Sequence, residues 1–160
     1  MTTEESQKRL TLMQGFEHPD CFLCSPGNEL GLQMAFRVCA DGSVAAWFTC
    51  DQRFQGYSGF IHGGVISSLL DSAMANCLFS QGKAGFTAEL NIRFVQPVIT
   101  GQAALVRAWI TDSFPPLYIM AAYIHQNCRI VVRATGKFME REQSDGSNLQ
   151  ACGKAQAGIR

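Results

Sequence analysis

The apolar run Val65-Ile-Ser-Ser-Leu-Leu-Asp-Ser-Ala-Met-Ala-Asn-Cys-Leu-Phe79 is the strongest pattern in the chain. Its length predicts a helix over about residues 63–80, roughly five turns. Val65, Ile66, Leu69, Leu70, Ala73, Met74, Cys77, Leu78 and Phe79 do not form a stripe. They cover most of the circumference, and a helix that is apolar nearly all round must be covered on several sides.

Segments of β character stand on either side of this helix. Residues 30–38 and 43–50 read as two strands joined by an Asp41-Gly42 turn, a strong hairpin signal. Downstream, 87–94 alternates strictly, with Ala88, Leu90, Ile92 and Phe94 on one face and Thr87, Glu89, Asn91 and Arg93 on the other. Residues 102–111, 117–126 and 129–140 follow as further strands, close enough in sequence to pair antiparallel. The expected order is ββαββββ, with no second helix of comparable length. The economical architecture is α+β: one curved antiparallel sheet wrapped around a single long helix. Residues 1–20 read as a mixed polar extension, 21–141 as the folded domain, and 142–160, rich in Gly, Ser, Ala and Gln, as a poorly ordered tail.

Composition narrows the functional classes. At 160 residues the chain fits one domain. Thirteen basic residues balance thirteen acidic ones without clustering, which argues against a nucleic-acid partner. The first 20 residues lack an apolar core of signal-peptide length, and the longest apolar stretches are broken by Asp71, Gly or Pro, so neither export nor a membrane span is expected. Seven cysteines, an odd number, with Cys77 placed like a small core residue, suit a reducing cytoplasm.

Two features carry chemistry. Asp71 is the one acid in the apolar helix, and a carboxylate among Ile66, Leu69, Leu70, Met74 and Leu78 loses hydration it cannot easily recover. Nine residues before it stands His62-Gly63-Gly64. Each has a plain structural reading, the first as a carboxylate capping a strand or pairing across a dimer, the second as a tight turn into the helix. Cys21-x-x-Cys24 near His18 invites a zinc reading, but only one such pair exists, so neither a metal nor another cofactor is expected. Glu89 and Arg93 read as a solvated or intersubunit strand face. Phe54, Tyr57 and Phe60 suit packing as well as the lining of a pocket.

The joint spacing resembles the hotdog-fold thioesterases (4HBT superfamily), specifically the PaaI-type, phenylacetate-pathway-like acyl-CoA thioesterases. It rests on Cys21-Phe-Leu-Cys24 with Asn28-Glu-Leu-Gly-Leu32, on Phe54-Gln-Gly-Tyr-Ser-Gly-Phe-Ile-His-Gly-Gly-Val-Ile66 flowing into Leu69-Leu-Asp71, on Thr87-Ala-Glu-Leu-Asn-Ile-Arg-Phe-Val-Gln-Pro-Val98 with Gly101, and on Val131-Val-Arg-Ala-Thr-Gly-Lys-Phe138. The resemblance spans about residues 20–141. It implies a hotdog fold, acyl-CoA as substrate, and a homodimer or a homotetramer built as a dimer of dimers.

It also implies site residues. Backbone N–H groups at a helix start lack intrahelical partners and sit at the positive end of the dipole, so Gly63 is assigned as oxyanion donor, with His62 in a secondary, orienting role. Asp71 is assigned as nucleophile or general base, with Thr87 as a hydroxyl beside it. Gly63 and Asp71 lie about 12 Å apart along one helix, too far for one carbonyl to reach both, so the carboxylate is expected from a second copy of the chain. Gln55, Gly56, Gly64 and Asn91 are the expected substrate-binding positions, and Arg93, Arg107, Arg129 and Arg133 are candidates for the CoA phosphates. Where several relatives carry Asn or Gln six residues before the histidine, this chain has Gly56, and where a second acid often follows the first it has Ser72. The first departure keeps alive an alternative, a hotdog protein that binds acyl-CoA or acyl carrier protein without turnover. A hydratase or dehydratase reading fits less well, because the His-to-Asp spacing of about five residues that it implies is missing.

Overall fold

The computed structural model describes residues 2–141, so the expectation of a poorly ordered tail falls outside the described residues. In chain order the elements are α1 (Thr3–Glu17), β1 (Arg37–Val38), β2 (Val44–Thr49), a 3₁₀ turn (Gln52–Phe54), α2 (Gly63–Ser80), β3 (Gly85–Phe94), β4 (Ala103–Phe114), β5 (Leu117–Gln126) and β6 (Arg129–Glu140). The six strands form one antiparallel sheet in the order β1-β2-β4-β5-β6-β3. The predicted hotdog arrangement, a sheet packed on one long central helix, is therefore present, with α2 at the predicted bounds.

Alternate strand residues supply the floor under α2: Val44, Ala46 and Phe48 from β2, Val106 and Ala108 from β4, Met120, Ala122 and Ile124 from β5, and Val132, Ala134 and Phe138 from β6, all buried. On α2 every residue from Ser72 to Ser80 is buried, so this half of the helix has no solvent face. The sheet covers one side of it and α1 the other.

Helix α1 is the main difference from expectation, which left residues 1–20 as an extension. A reciprocal cap starts it: Glu5 N–H donates to Thr2 Oγ1 (3.2 Å) and Thr2 N–H donates to a Glu5 carboxylate oxygen (2.8 Å). Its inward residues are few, Leu10 buried and Met13 half-buried, so the segment shows no broad apolar face in sequence. Polar contacts add to its seat. Gln7 accepts from Val38 N–H (2.8 Å) and donates to Phe36 O (3.3 Å), capping the free edge beside β1, while Gln14 donates to Asn76 Oδ1 on α2 (3.1 Å).

Two strand expectations are corrected. Of 30–38 only Arg37–Val38 enters the sheet, because Leu32 and Met34 N–H donate to Phe22 and Leu23 carbonyls of the preceding loop (2.7 and 2.8 Å). The strict alternation of 87–94 is broken by a bulge between Thr87 and Glu89. Thr87 consequently pairs opposite buried Phe138 and Leu90 opposite Gly136, whose missing Cβ leaves room for the Met74 sulfur of α2, so Thr87 and Leu90 share the helix-facing side. Ala88 and Phe94, expected inside, are exposed on this edge strand.

Because Leu10 is only 1% exposed, Leu10→Ala is expected to cost about 2–5 kcal/mol, as for other buried leucines. Chemical denaturation checks this, and a loss below about 0.5 kcal/mol would mean that α1 is not part of the cooperative unit.

Candidate active site

The start of α2 is built by its first three residues. His62 is the N-cap, in extended conformation, and its Nδ1 accepts from Gly64 N–H (2.9 Å). The His62 backbone is held on both sides, its N–H donating to Phe54 O (2.8 Å) and its carbonyl accepting from Ile66 N–H (3.1 Å). Among the described residues, Gly63 N–H has no hydrogen-bond partner. The two glycines therefore separate in role. Gly64, an expected substrate contact, gives its N–H to the cap, while Gly63 N–H stays available at the positive helix end.

A cavity of about 350 Å³ opens beside Gly63, lined largely by Tyr57, Phe60, Ile66, Phe94 and Val98. The Phe94 ring lies 3.6 Å from where a Cβ on Gly63 would stand. Tyr57, Phe60, Phe94 and Val95 are all exposed, a cluster of large apolar side chains facing outward around one polar N–H.

The loop before His62 accounts for the Gly56 departure. A Cβ at residue 56 would stand 3.1 Å from Cδ2 of the His62 ring, so a side chain there would press on the cap. Gln55, the possible substitute, accepts from Gly59 N–H (3.2 Å) and is engaged within its own turn.

Asp71 stands half-buried on α2, eight residues beyond Gly63, or about 12 Å along the axis. Thr87 Oγ1 donates to Asp71 Oδ1 at 2.6 Å. The β3 bulge makes this contact possible, since unbroken alternation would turn Thr87 away from α2. Asn91 is placed differently: it projects from the outer face and donates to Glu89 Oε1 (2.7 Å), while Lys137 donates to Oε2 of the same carboxylate. Thr87 and Asp71 are thus brought together, and Asn91 is not.

Of the arginines, Arg107 is tied to Ser43 (2.8 Å) and to the Asp41 carboxylate, whose hydrogen bonds from Ser43 and Arg107 hold it down at about 2. Arg93 and Arg133 are instead directly opposite each other on β3 and β6, both exposed and without an ion pair among the described residues. Two like charges so placed repel, which makes an anion there favourable. Sequence gave no means to choose this pair, because its register depends on the sheet.

His18, Cys21 and Cys24 gather elsewhere, where His18 packs edge-on against Phe79 near the end of α2 (4.9 Å). Burial lowers the proton affinity of His18 against the opposing pull of Glu17 and Asp71. Burial also pushes the Cys24 thiol up to about 11.

Comparison with known proteins agrees with this geometry. A family model described as "Thioesterase superfamily" matches residues 58–113, the stretch that carries His62, Gly63, Asp71 and Thr87. The rat (Rattus norvegicus) protein named acyl-coenzyme A thioesterase THEM4 is 36% identical over 70 residues, 43% of this chain and 30% of that protein. The chain therefore matches less than a third of the length of this curated relative. The Escherichia coli PaaI protein of the phenylacetic acid degradation operon superposes with a TM-score of 0.74 at 20% identity, covering 89% of this chain and 97% of that one. A Streptococcus mutans protein solved with acetyl-CoA superposes with a TM-score of 0.63 at 19% identity, over 68% and 88% of the two chains. A central helix wrapped by this sheet is the hotdog fold, and the segment that carries the helix start, residues 58–113, is similar to the thioesterase superfamily.

Proposed function

We propose that the protein is an acyl-CoA thioesterase, hydrolysing R-CO-S-CoA with water to the free acid and CoA. The observation that carries this reading is the unpartnered Gly63 N–H at the mouth of an apolar cavity, with a carboxylate on the same helix held by a threonine hydroxyl. The thioester carbonyl oxygen accepts from Gly63 N–H, which strengthens as negative charge develops on that oxygen. The acyl chain enters the cavity lined by Tyr57, Phe60 and Phe94. The CoA phosphates meet Arg93 and Arg133. The name of the rat relative and the acetyl-CoA in the S. mutans structure support the substrate class.

Asp71 supplies the attack. Thr87 occupies Oδ1, leaving Oδ2 either to take a proton from water or to add to the carbonyl carbon. In the first case hydroxide adds and CoA thiolate leaves; in the second a mixed anhydride forms, thiolate leaves, and water then releases the acid. About 12 Å of helix separates Asp71 from Gly63 of the same chain, so the working pair is Gly63 of one protomer and Asp71 of another. The exposed apolar cluster around Gly63 and the exposed edge strand β3 support such self-association. The second reading, binding without turnover, draws on Gly56, which offers no side chain to a water or carbonyl.

Free-thiol release from short aliphatic, long aliphatic and aromatic acyl-CoA thioesters decides between the two. Asp71→Asn is expected to lower kcat for the preferred substrate by about 10²–10⁴ with the fold intact by circular dichroism. Saturable binding with no release from any thioester by the wild type would instead support the binding protein.

Thr87→Val, which leaves Asp71 one hydrogen bond short, is expected to lower kcat by roughly tenfold, the worth of one charge-assisted hydrogen bond. An unchanged kcat would remove Thr87 from the site.

Gly63→Pro deletes the donor N–H at the first helical position, where proline is tolerated. Alone it should be as inactive as Asp71→Asn. Co-expressed in equal amounts, the two are expected to recover about a quarter of wild-type activity, since half the dimers are mixed and each mixed dimer holds one intact site. No recovery in mixed dimers would show that Gly63 and Asp71 act within one chain.

A further inference from the structure

The loop between α1 and β1 brings together three soft ligands that the thioester site does not use. The ligand atoms of His18, Cys21 and Cys24 all lie within 4.8 Å of one another. The spacing Cys-x-x-Cys alone did not favour a metal, because no second pair accompanies it. What the fold adds is the approach of His18, which ends α1 as its C-cap residue and turns its ring toward the cysteines.

We infer that His18, Cys21 and Cys24 form a zinc-binding site that ties the end of α1 to the core. Cys24 Sγ stands 3.5 Å from His18 Nδ1. Tetrahedral zinc with usual bond lengths spaces a thiolate and an imidazole nitrogen by about 3.5 Å and two thiolates by about 3.8 Å. One pair is already at that spacing, and about an ångström of inward movement brings in the rest. Two thiolates with one imidazole suit zinc better than hard, oxygen-seeking cations. Binding one Zn²⁺ releases two thiol protons, and the resulting site carries no net charge, as its partly buried place requires.

The surroundings hold the ligands in place. Cys21 N–H donates to His18 O and Ser25 N–H to Cys21 O (3.3 and 3.0 Å), folding the loop back on itself. From behind, Leu32 and Met34 N–H grip Phe22 O and Leu23 O, and Gly31 packs so closely on the Phe22 backbone that no side chain fits there. A cavity of about 230 Å³ lies on the His18 side of the cluster, lined by His18, Gln14 and Ser25 among others.

The test uses the full chain, reduced and stripped with chelator, titrated with Zn²⁺ against a chromophoric competitor. Uptake of one equivalent is expected, with a higher melting temperature. Co²⁺ in the same site should give thiolate-to-cobalt charge transfer and intense tetrahedral d–d bands. Cys21→Ser and His18→Ala are each expected to weaken Zn²⁺ binding by about a hundredfold or more and to abolish the rise in melting temperature. Cys21 lies on the half-exposed rim of the cluster, so Cys21→Ser remains informative if Cys24→Ser fails to fold. The inference is overturned if the reduced wild type takes up no stoichiometric zinc, if uptake survives both substitutions, or if Cys21 and Cys24 form a disulfide while the reduced protein ignores the metal.

Discussion

The structure depends on α2 having no solvent face along its second half. Nine consecutive residues, Ser72 to Ser80, are buried, so no single layer suffices and the helix needs both the sheet and α1. Burial on all sides also obliges every polar group there to be satisfied within the protein. Asn76 does most of this: its amide donates to Ser72 O (2.8 Å) and its Oδ1 accepts from Gln14 of α1. Ser80 donates to Cys77 O (2.7 Å), and among the described residues no buried side-chain polar atom lacks a partner. Asp71 sits just before this dry half, at the margin where β3 passes and Thr87 reaches across.

What was legible in the sequence follows from which contacts are local. The bounds of α2, β5 and β6 were, because apolar periodicity and turn residues act over a few positions. So was the pairing of Asp71 with Thr87, though only through the resemblance, since the alternation of 87–94 points Thr87 the wrong way. A single inserted residue in the bulge reverses that, and a bulge is a property of two paired strands rather than of one sequence. Helix α1 was missed because its seat is mostly polar; Leu10 and the amides of Gln7 and Gln14 hold it against partners many residues away. The Thr2-Thr-Glu-Glu5 pattern was the one local signal available, a capping box ahead of a helix with little apolar face. The Arg93–Arg133 pair and the approach of His18 to Cys24 are likewise consequences of tertiary placement.

The N-terminus of α2 shows how a weak sequence feature becomes a specific one. Two glycines after a histidine are interchangeable as letters. Once His62 Nδ1 takes Gly64 N–H, only Gly63 retains a donor of its own to offer. The cap also bears on residue 56: a Cβ there would stand 3.1 Å from the His62 ring that serves the helix, which would have to give by a few tenths of an ångström. The departure at Gly56 is therefore compatible with a well-formed helix start, because it clears room for the group that shapes the donor.

The distance between Gly63 and Asp71 then has a physical logic. A carboxylate in the first turn of α2 would be drawn to the free N–H groups and the positive end of the dipole, and would cap the donor proposed for the thioester carbonyl. Placed two turns further on, Asp71 cannot do so within its own chain, and Thr87 holds it facing the edge strand instead. On the proposed mechanism, donor and acid both stay available until a second protomer brings a carboxylate to the helix start with substrate between them. A pair that would neutralise itself inside one chain is kept apart by the rigidity of one helix, which is why the proposed mechanism calls for association of two chains.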